Sequence, residues 1–265
     1  MTYEDLLLEK EGGIATITLN VPEKLNALTE NMRISLPLAV DEIAKDDKVR
    51  VVIVTGAGRG FCSGADVRRQ AARVAGEVTE VSRHTLLDIV GKLADIFPKL
   101  EKPVIAAVNG PCVGAGFSIA MSCDIRIASD IARFASAFIW RGLGPDTGMT
   151  HFLPTTVGTS KALELMFTGE MISAAEAERL GIVSRVVPPD ELMKTARELA
   201  AKIAQQAPIA VELTKKIVWR GLLEKLTRQL DLETYAQRIC LQTEDHRESV
   251  RAFLEKRPQP QFKGK

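Results

Sequence analysis

The chain has 265 residues, of which 46% are apolar, and it is long enough to bury a core without disulfide or metal support. Its 35 basic and 34 acidic residues almost cancel, which argues against a dedicated nucleic-acid-binding protein. The acidic N-terminal segment is unlike a secretory or transit signal, and no stretch approaches the roughly 18 apolar residues of a membrane span. Four cysteines without a CxxC pair favour a reducing compartment. We therefore expect a cytoplasmic protein that binds no metal, nucleic acid or membrane.

The first two thirds of the sequence alternate short apolar runs with helical patterns. Strands are predicted over residues 13–19, 49–56, 104–110, 124–129 and 132–136. A helix capped by Thr29 is predicted after the first strand, and Pro37 inside it should kink it or delay its start. Another helix is predicted from His84 to about Pro98 or Pro103. This order implies right-handed crossovers, with helices that cover a sheet.

After about residue 188 the sequence becomes helical throughout. Three amphipathic segments follow one another there without a flexible linker or a repeat. We therefore predict a mixed α/β core over residues 1–188 and a helical C-terminal region over residues 189–265.

Two glycine-rich segments share one design, in which a buried strand leads through small residues into the start of a helix. They are VVIVTGAGRGFCSGAD (51–66) and NGPCVGAGFSIAMSCDI (109–125). The first turn of a helix leaves its N–H groups free, and small residues let a ligand approach such donors closely. Two donors aimed at one oxygen form an oxyanion hole. The pattern therefore favours stabilisation of a developing negative charge.

Two other interpretations of these segments stay open. A dinucleotide fold would need GxGxxG, but the third glycine would fall at Phe61, and no acidic strand end follows clearly about twenty residues later. Close packing of a helix on a strand could explain either segment alone. The occurrence of both in matching contexts favours a functional role.

The segments GFCSGAD and KPVIAAVNGPCVGAGFSIAMSCDIRIAS resemble the two signatures of the crotonase (enoyl-CoA hydratase/isomerase) family. PEKLNAL (22–28), FTGEMISAAEAERLGIVSRVVP (167–188) and AFLEKRPQPQF (252–262) resemble further parts of that family, so the likeness spans nearly the whole chain. It implies an α/β crotonase-like ββα spiral core with a helical C-terminal trimerisation region, in a homotrimer or dimer of trimers. It also implies an acyl-CoA thioester substrate and no separate cofactor, because coenzyme A is part of the substrate.

The resemblance also implies the site residues. The backbone N–H groups of Ala65 and Ala115 would hold the thioester carbonyl oxygen and stabilise an enolate. The other residues placed around the substrate are Lys24, Leu25, Ala27, Gly64, Asp66, Val67, Gly114, Ser118, Phe138, Phe253 and Lys256. Of these, the first three would hold the adenine and phosphates. The last two belong to a part of the pocket that the C-terminal helices complete, sometimes from a neighbouring subunit.

The acids in the sequence bear on the reaction. Hydratases of the family split water with two glutamates, and Ser118 and Phe138 stand at those positions here. One carboxylate remains nearby, Asp146 in GPDTGMT, which resembles the motif of isomerases with a single aspartate base. Dehalogenases of the family use an aspartate there as a nucleophile, and Phe138 resembles their aromatic wall. A capping role for Asp146, at a helix beginning near Thr147, stays open.

One carboxylate suits isomerisation, because it can take a proton from one carbon and return it to another while the oxyanion hole holds the dienolate. We therefore predict an acyl-CoA isomerase with Asp146 as the base. The alternatives are an enoyl-CoA hydratase, an acyl-CoA hydrolase or dehalogenase-like enzyme that uses Asp146, and a CoA-ester-binding protein without chemistry. Ser118 could contact substrate or water, and His151 could line the pocket. We expect Asp124 to bind backbone donors and His246 to be solvated.

Overall fold

A computed structural model of the chain describes residues 3–66, 93–257 and 260–264. Its strands form a large sheet in the order β1-β2-β3-β4-β6-β9 and a small sheet in the order β5-β7-β8. Their bounds are β1 (Leu6–Glu11), β2 (Ile14–Leu19), β3 (Val51–Gly56), β4 (Val104–Val108), β5 (Pro111–Val113), β6 (Ile125–Ser129), β7 (Arg133–Ala135), β8 (Ile172–Ser173) and β9 (Arg185–Val187). All five predicted strands are present, as β2, β3, β4, β6 and β7.

The helices cover the large sheet and form most of the C-terminal part of the chain. They are α1 (Glu30–Ala44), α2 (Ala115–Ser122), α3 (Met149–Val157), α4 (Thr159–Thr168), α5 (Ala174–Arg179), α6 (Leu192–Ala204), α7 (Pro208–Gln242) and α8 (Glu244–Leu254). Short 3₁₀-helices span Pro22–Lys24, Ala137–Arg141 and Pro189–Glu191, and residues 93–99 are helical. Within the described ranges, no helix combines the length and the apolar character needed to cross a bilayer.

The edge strand β1 is one that the sequence analysis missed. It pairs antiparallel with β2 through the two-residue turn Gly12–Gly13, where both glycines have positive φ angles of 57° and 80°. Most of its residues are exposed, so the strand lacks the alternating apolar pattern of a half-buried strand. The Gly-Gly pair between two short runs was the readable signal for this hairpin.

The large sheet is buried on both faces, which explains the unbroken apolar runs of β3 and β4. On one face α6 packs its buried residues against Val51, Ile53 and Ile105, although α6 lies in the predicted C-terminal region. Helix α1 and the rest of the main core cover the other face. Because β3 and β4 are parallel neighbours, the glycine-rich residues that follow them both leave the sheet at the carboxyl-terminal end of the strands.

Helix α1 begins where the sequence predicts. The Thr29 hydroxyl oxygen accepts a hydrogen bond from the Met32 N–H at 3.1 Å, which confirms the predicted cap. The helix then runs through Pro37, so the prediction of a delayed start is wrong. Packing of the buried face, which includes Met32 and Leu36, outweighs the loss of one backbone hydrogen bond at the proline.

The 35-residue helix α7 is joined to the core by a buried cation. Lys215 Nζ lies 2.8 Å from Asp124 Oδ2 and donates to the carbonyl oxygens of Phe97 and Lys102. Asp124 also accepts from the Val104 N–H at 2.6 Å, which confirms its predicted role. These contacts fix α7 against the amino-terminal end of β4, opposite the end of the sheet from which the glycine-rich segments leave.

Helix α7 also carries an apolar surface. Its side chains Ile209, Leu213 and Ile217, spaced four residues apart, are exposed. A second subunit would cover a surface of this kind. The trimer, and the division of the chain at residue 188, stay predictions.

Candidate active site

The two glycine-rich segments lie directly against each other. Cys62 pairs with Cys112 in a parallel bridge, and the Val113 N–H donates to the Cys62 carbonyl at 2.9 Å. Gly64 has a φ of +91°, and a β-carbon there would lie 2.9 Å from the Val113 oxygen and 3.5 Å from the Ala115 nitrogen. The first segment therefore reaches the start of α2 with no room for a side chain.

Glycines at the start of α2 have two separate causes. Gly114 has φ 54° and ψ −127°, a conformation that side-chain-bearing residues rarely adopt. Gly116 is needed for space, because a β-carbon there would lie 2.3 Å from the Cys62 carbonyl oxygen. Glycine inside a helix costs about 1 kcal/mol relative to alanine. Here that cost allows α2 to begin in contact with the first segment.

This contact leaves two main-chain donors available. The N–H groups of Ala65 and Ala115 donate none of the hydrogen bonds found between described residues. Ala115 is the first residue of α2, so the helix dipole adds positive potential there. Since a β-carbon at Gly64 would lie only 3.5 Å from the Ala115 nitrogen, the two segments are close enough for one oxygen to accept from both donors.

The PEKLNAL segment lies along the outer side of the first glycine segment. Leu25 and Asn26 have positive φ angles of 50° and 55°, which turn the chain back after the 3₁₀-helix. The Leu28 N–H then donates to the Gly64 carbonyl at 2.8 Å, and Leu28 pairs with Ala65. The structure thus brings the segment that carries Lys24, Leu25 and Ala27 beside Ala65, while their contacts with coenzyme A stay predictions.

Two asparagines that the sequence analysis missed hold the loop of residues 56–60 in shape. Asn26 is buried, and its Nδ2 donates to the carbonyl oxygens of Ala57 and Gly60 at 2.9 and 2.7 Å. Asn109 Nδ2 donates to three carbonyls of the same loop, including that of Gly58 at 2.9 Å. Asparagine next to glycine turns commonly satisfies backbone groups in this way, and that was the available signal.

Lys24 and Asp66 form an ion pair in the site. Lys24 Nζ lies 3.1 Å from Asp66 Oδ2, and both side chains are partly exposed. The pair joins the PEKLNAL segment to the residue after Ala65. The predicted site residue Val67 lies outside the described residues.

Asp146 is tied both to α2 and to α7. Its Oδ2 accepts from Gln237 Nε2 at 2.7 Å, and its Oδ1 accepts from Thr147 Oγ1 at 2.9 Å. Its main-chain carbonyl accepts from the hydroxyl of Ser118, which is fully buried one turn after Ala115. Burial raises the pKa of the Asp146 carboxyl, while the bonds from Gln237 and Thr147 oppose that rise. The turn is thus held at a fixed place relative to the start of α2.

Ser118 therefore has a structural contact that was not predicted. Its hydroxyl donates to the Asp146 carbonyl at 3.0 Å, and the Gly114 carbonyl lies at 3.5 Å as a second acceptor. The predicted contact of Ser118 with substrate or water stays a prediction.

The helix-capping alternative for Asp146 is wrong. Helix α3 begins after Gly148, and no side chain of the adjoining turn caps it. Its first donors are instead bound by Glu233 of α7, which accepts from the Gly148 N–H at 2.9 Å and the Thr150 N–H at 3.0 Å. Thr150 Oγ1 donates to the same carboxyl group at 2.6 Å. The Asp146 carboxyl group therefore does not cap α3, and its two oxygens accept from Gln237 and Thr147 instead.

Comparison with known proteins identifies the family. A family model described as enoyl-CoA hydratase/isomerase matches residues 9–265. The chain belongs to the enoyl-CoA hydratase/isomerase family. It is 41% identical to the short-chain-enoyl-CoA hydratase of Clostridium acetobutylicum over 266 residues, covering 100% of both chains. It is 38% identical to the 1,2-epoxyphenylacetyl-CoA isomerase of Escherichia coli K12 over 262 residues, covering 99% of both.

Solved structures of the enoyl-CoA hydratase/isomerase family confirm the predicted fold. An enoyl-CoA hydratase from Mycobacterium avium subsp. paratuberculosis matches with a TM-score of 0.88 and 31% identity, over 99% of this chain and 100% of that one. The crotonase-like core and the C-terminal helices are therefore confirmed. Membership of this enzyme family is also consistent with an acyl-CoA thioester as the substrate.

The other predicted site residues lie farther along the chain. Phe138 is buried in the 3₁₀-helix Ala137–Arg141. Phe253 is exposed, with the Arg141 guanidinium 4.6 Å from its ring centroid, and Lys256 is exposed as well. No contact between described residues joins Phe253 or Lys256 to Lys24. Their predicted part in the CoA pocket stays a prediction.

The structure describes two of the three histidines, His151 and His246, and both are buried. His246 Nδ1 lies 2.8 Å from the Arg141 carbonyl oxygen, so the prediction that His246 is solvated is wrong. The charged residues around it in the sequence lie on the other face of α8. His151 packs with its ring centroid 5.5 Å from that of Phe152, and its place in the pocket stays a prediction.

Glu233→Gln is expected to change how stability depends on pH. Burial, together with the charge of Asp146, raises the pKa of Glu233 from 4.5 to about 7. A carboxyl with a raised native pKa stabilises the fold fully below its unfolded pKa, and this contribution is lost as the pH rises through about 7. From about pH 5 to pH 8, the wild type should lose roughly 2 to 3 kcal/mol of unfolding free energy relative to the variant.

Urea denaturation across that pH range measures this difference. The control is Glu198→Gln, which changes an exposed glutamate of α6. Its curve should run parallel to that of the wild type. A parallel curve for Glu233→Gln as well would contradict the assignment of a raised pKa to Glu233.

Proposed function

We propose that this family member is an enoyl-CoA isomerase that moves a double bond through an enolate, with Asp146 as the base. The observation that carries the proposal is the position of Asp146. Its turn is hydrogen-bonded to α2 through Ser118, while Ser118 and Phe138 stand where hydration would need two acids. One carboxylate beside an oxyanion hole is sufficient for a proton shift and is a poor arrangement for splitting water.

The first part of the chemistry belongs to the main chain. In the proposed mechanism, the N–H groups of Ala65 and Ala115 donate to the thioester oxygen, whose charge grows as the enolate forms. Each donor of this kind contributes roughly 10² to 10³ in rate. The donors are fixed by the packing of Gly116 on Cys62, so they need little reorganisation during the reaction.

The second part is the proton transfer. Starting from a 3-enoyl-CoA, Asp146 takes a proton from C2, and the electron pair of the broken bond passes into the dienolate. The same carboxyl then delivers the proton to C4, so that the double bond ends between C2 and C3. Burial raises the pKa of Asp146 and makes it a stronger base, while Gln237 and Thr147 keep its two oxygens in place. Because only a proton moves, the steps call for no cofactor beyond the CoA of the substrate.

The comparisons support two candidate reactions. The isomerase named for an epoxyphenylacetyl-CoA supports a rearrangement, while the relative from C. acetobutylicum is named a hydratase. Hydration with Asp146 as the only acid is therefore the second candidate. In either case we propose that Lys24, Leu25 and Ala27 contact the CoA moiety, and that the protein works as a homotrimer or a dimer of trimers.

A labelling experiment separates these reactions. The purified protein is incubated with 3-hexenoyl-CoA, and separately with 2-hexenoyl-CoA, in water enriched in ¹⁸O, and the products are analysed by mass spectrometry. We expect interconversion of the two substrates with no ¹⁸O in the acyl group. Faster formation of ¹⁸O-labelled 3-hydroxyhexanoyl-CoA would overturn the proposal in favour of hydration. Binding of both thioesters with no turnover would identify a CoA-ester-binding protein instead.

A further inference from the structure

Arg33 places a cation beside the proposed oxyanion hole. It projects from α1, and its Nε donates to the Leu28 carbonyl at 3.4 Å. Leu28 is the residue that pairs with Ala65 and donates to the Gly64 carbonyl. The guanidinium is therefore attached to the same stretch of backbone that fixes the first oxyanion donor.

The charge of Arg33 is felt on both sides of the site. It favours the ionised form of Asp146, whose turn is bonded to α2. It also favours the ionised form of Cys62, which lies in the first glycine-rich segment. Burial lowers the pKa of Arg33, yet a guanidinium stays protonated in a protein. The cation thus stands within electrostatic reach of both the base and the first glycine segment.

Most of the hydrogen-bonding capacity of Arg33 is not taken up by the described residues. A guanidinium has five N–H donors, and the bond to Leu28 uses one of them at a long distance. Across the described residues, no carboxylate lies within 4.0 Å of this side chain. A partly buried cation with unused donors is costly beside a hydrocarbon chain and favourable beside an oxygen acceptor.

We propose that Arg33 binds an oxygen of the acyl group, so that the preferred substrate carries a neutral oxygen acceptor, such as a ketone, rather than a plain hydrocarbon chain. The position of the acyl group, between Ala65 and Asp146, rests on the proposed function. A neutral acceptor fits better than a carboxylate, because the charge of Arg33 is already balanced by Asp146. A second anion would repel Asp146.

Binding of saturated ligands tests this proposal without any turnover. Hexanoyl-CoA, 5-oxohexanoyl-CoA and glutaryl-CoA have acyl groups of similar size that end in an alkyl group, a methyl ketone and a carboxylate. Isothermal titration calorimetry gives the three dissociation constants. Shorter and longer oxoacyl-CoA thioesters, each with its alkyl match, remove any assumption about the distance from the thioester.

The wild type is expected to bind at least one oxoacyl-CoA about 10-fold more tightly than its alkyl match, which corresponds to about 1.4 kcal/mol. Arg33→Leu should remove that preference and leave hexanoyl-CoA binding unchanged or tighter, which also shows that the variant is folded. Arg33→Lys should keep part of the preference. The control Arg185→Leu removes an exposed arginine of β9 and should change nothing.

Equal binding of ketone and alkyl ligands by the wild type would overturn the proposal. So would a preference that survives in Arg33→Leu. Tightest binding of glutaryl-CoA would overturn the choice of a neutral acceptor. Because none of these ligands can react by isomerisation, the outcome is independent of the labelling experiment, and the two proposals can fail separately.

Discussion

Asp146→Asn is expected to lower kcat for conversion of 3-hexenoyl-CoA to 2-hexenoyl-CoA by about 10² to 10⁴, the range for loss of a general base. Asparagine has nearly the same shape, and its carbonyl oxygen can still accept from Thr147 or Gln237. The turn should therefore keep its bond from Ser118. Because the segment proposed to bind CoA is unchanged, KM should vary little. The loss would belong to proton transfer, which steady-state kinetics separates from binding.

The matched control is Asp190→Asn, which removes an exposed carboxylate beside α6 and should leave kcat unchanged. A pH profile adds a further readout, because Asp146 must be ionised to act as a base. Burial raises its pKa above 3.8, so kcat/KM should fall on acidification at a higher pH than for an ordinary aspartate. Since Glu233 interacts with Asp146, the profile reports values that belong to the pair. Full turnover by Asp146→Asn would contradict the proposed role.

Local patterns predicted the parts of the fold that local physics decides. Strands β3 and β4 are continuous apolar runs because both faces of the sheet are covered, and Thr29 caps α1 through a neighbour three residues away. The glycine segments were also readable, since a positive φ and a missing side chain leave a direct mark in the sequence. These features need no knowledge of distant parts of the chain.

The residues that surround Asp146 could not be found in this way. Glu233 caps α3 from 85 residues away, and Gln237 binds Asp146 from 91 residues away. Both lie on α7, where charged and polar side chains are usual on a solvated face. The packing of α7 on the core, which buries Leu226, turns them inward. The sequence left the helix-cap alternative for Asp146 open, because the bonds from the first donors of α3 to Glu233 exclude it only in the folded chain.

Arg33 illustrates the same limit at shorter range. Between the apolar positions of α1, an arginine is most simply read as a solvent-exposed side chain. Its inward position follows from the path of the PEKLNAL segment, which puts the Leu28 carbonyl within reach of its Nε. The residue proposed here to bind the acyl group therefore has no distinctive sequence signal.

Gly116→Ala is the second change with a large expected effect. A β-carbon at this position would lie 2.3 Å from the Cys62 carbonyl oxygen and 2.7 Å from the Cys62 β-carbon, so backbone must move. Either α2 or the first glycine segment would shift, and the N–H groups of Ala65 and Ala115 would no longer point at one oxygen. Misplacement of one such donor lowers kcat by about 10² to 10³. We expect at least that loss, together with a lower melting temperature.

The chain offers a control with the same chemical change and the opposite expectation. Gly221 lies in the middle of α7, and a β-carbon there would have no atom within 4 Å. Gly221→Ala should therefore leave kcat unchanged and stabilise the protein by about 0.4 to 1 kcal/mol, because alanine restricts the unfolded chain and favours a helix. Kinetics and thermal melting of both variants measure the contrast. If Gly116→Ala kept wild-type activity, the contact between α2 and Cys62 would not be what aligns the two donors, and the oxyanion hole would have to be built by other groups.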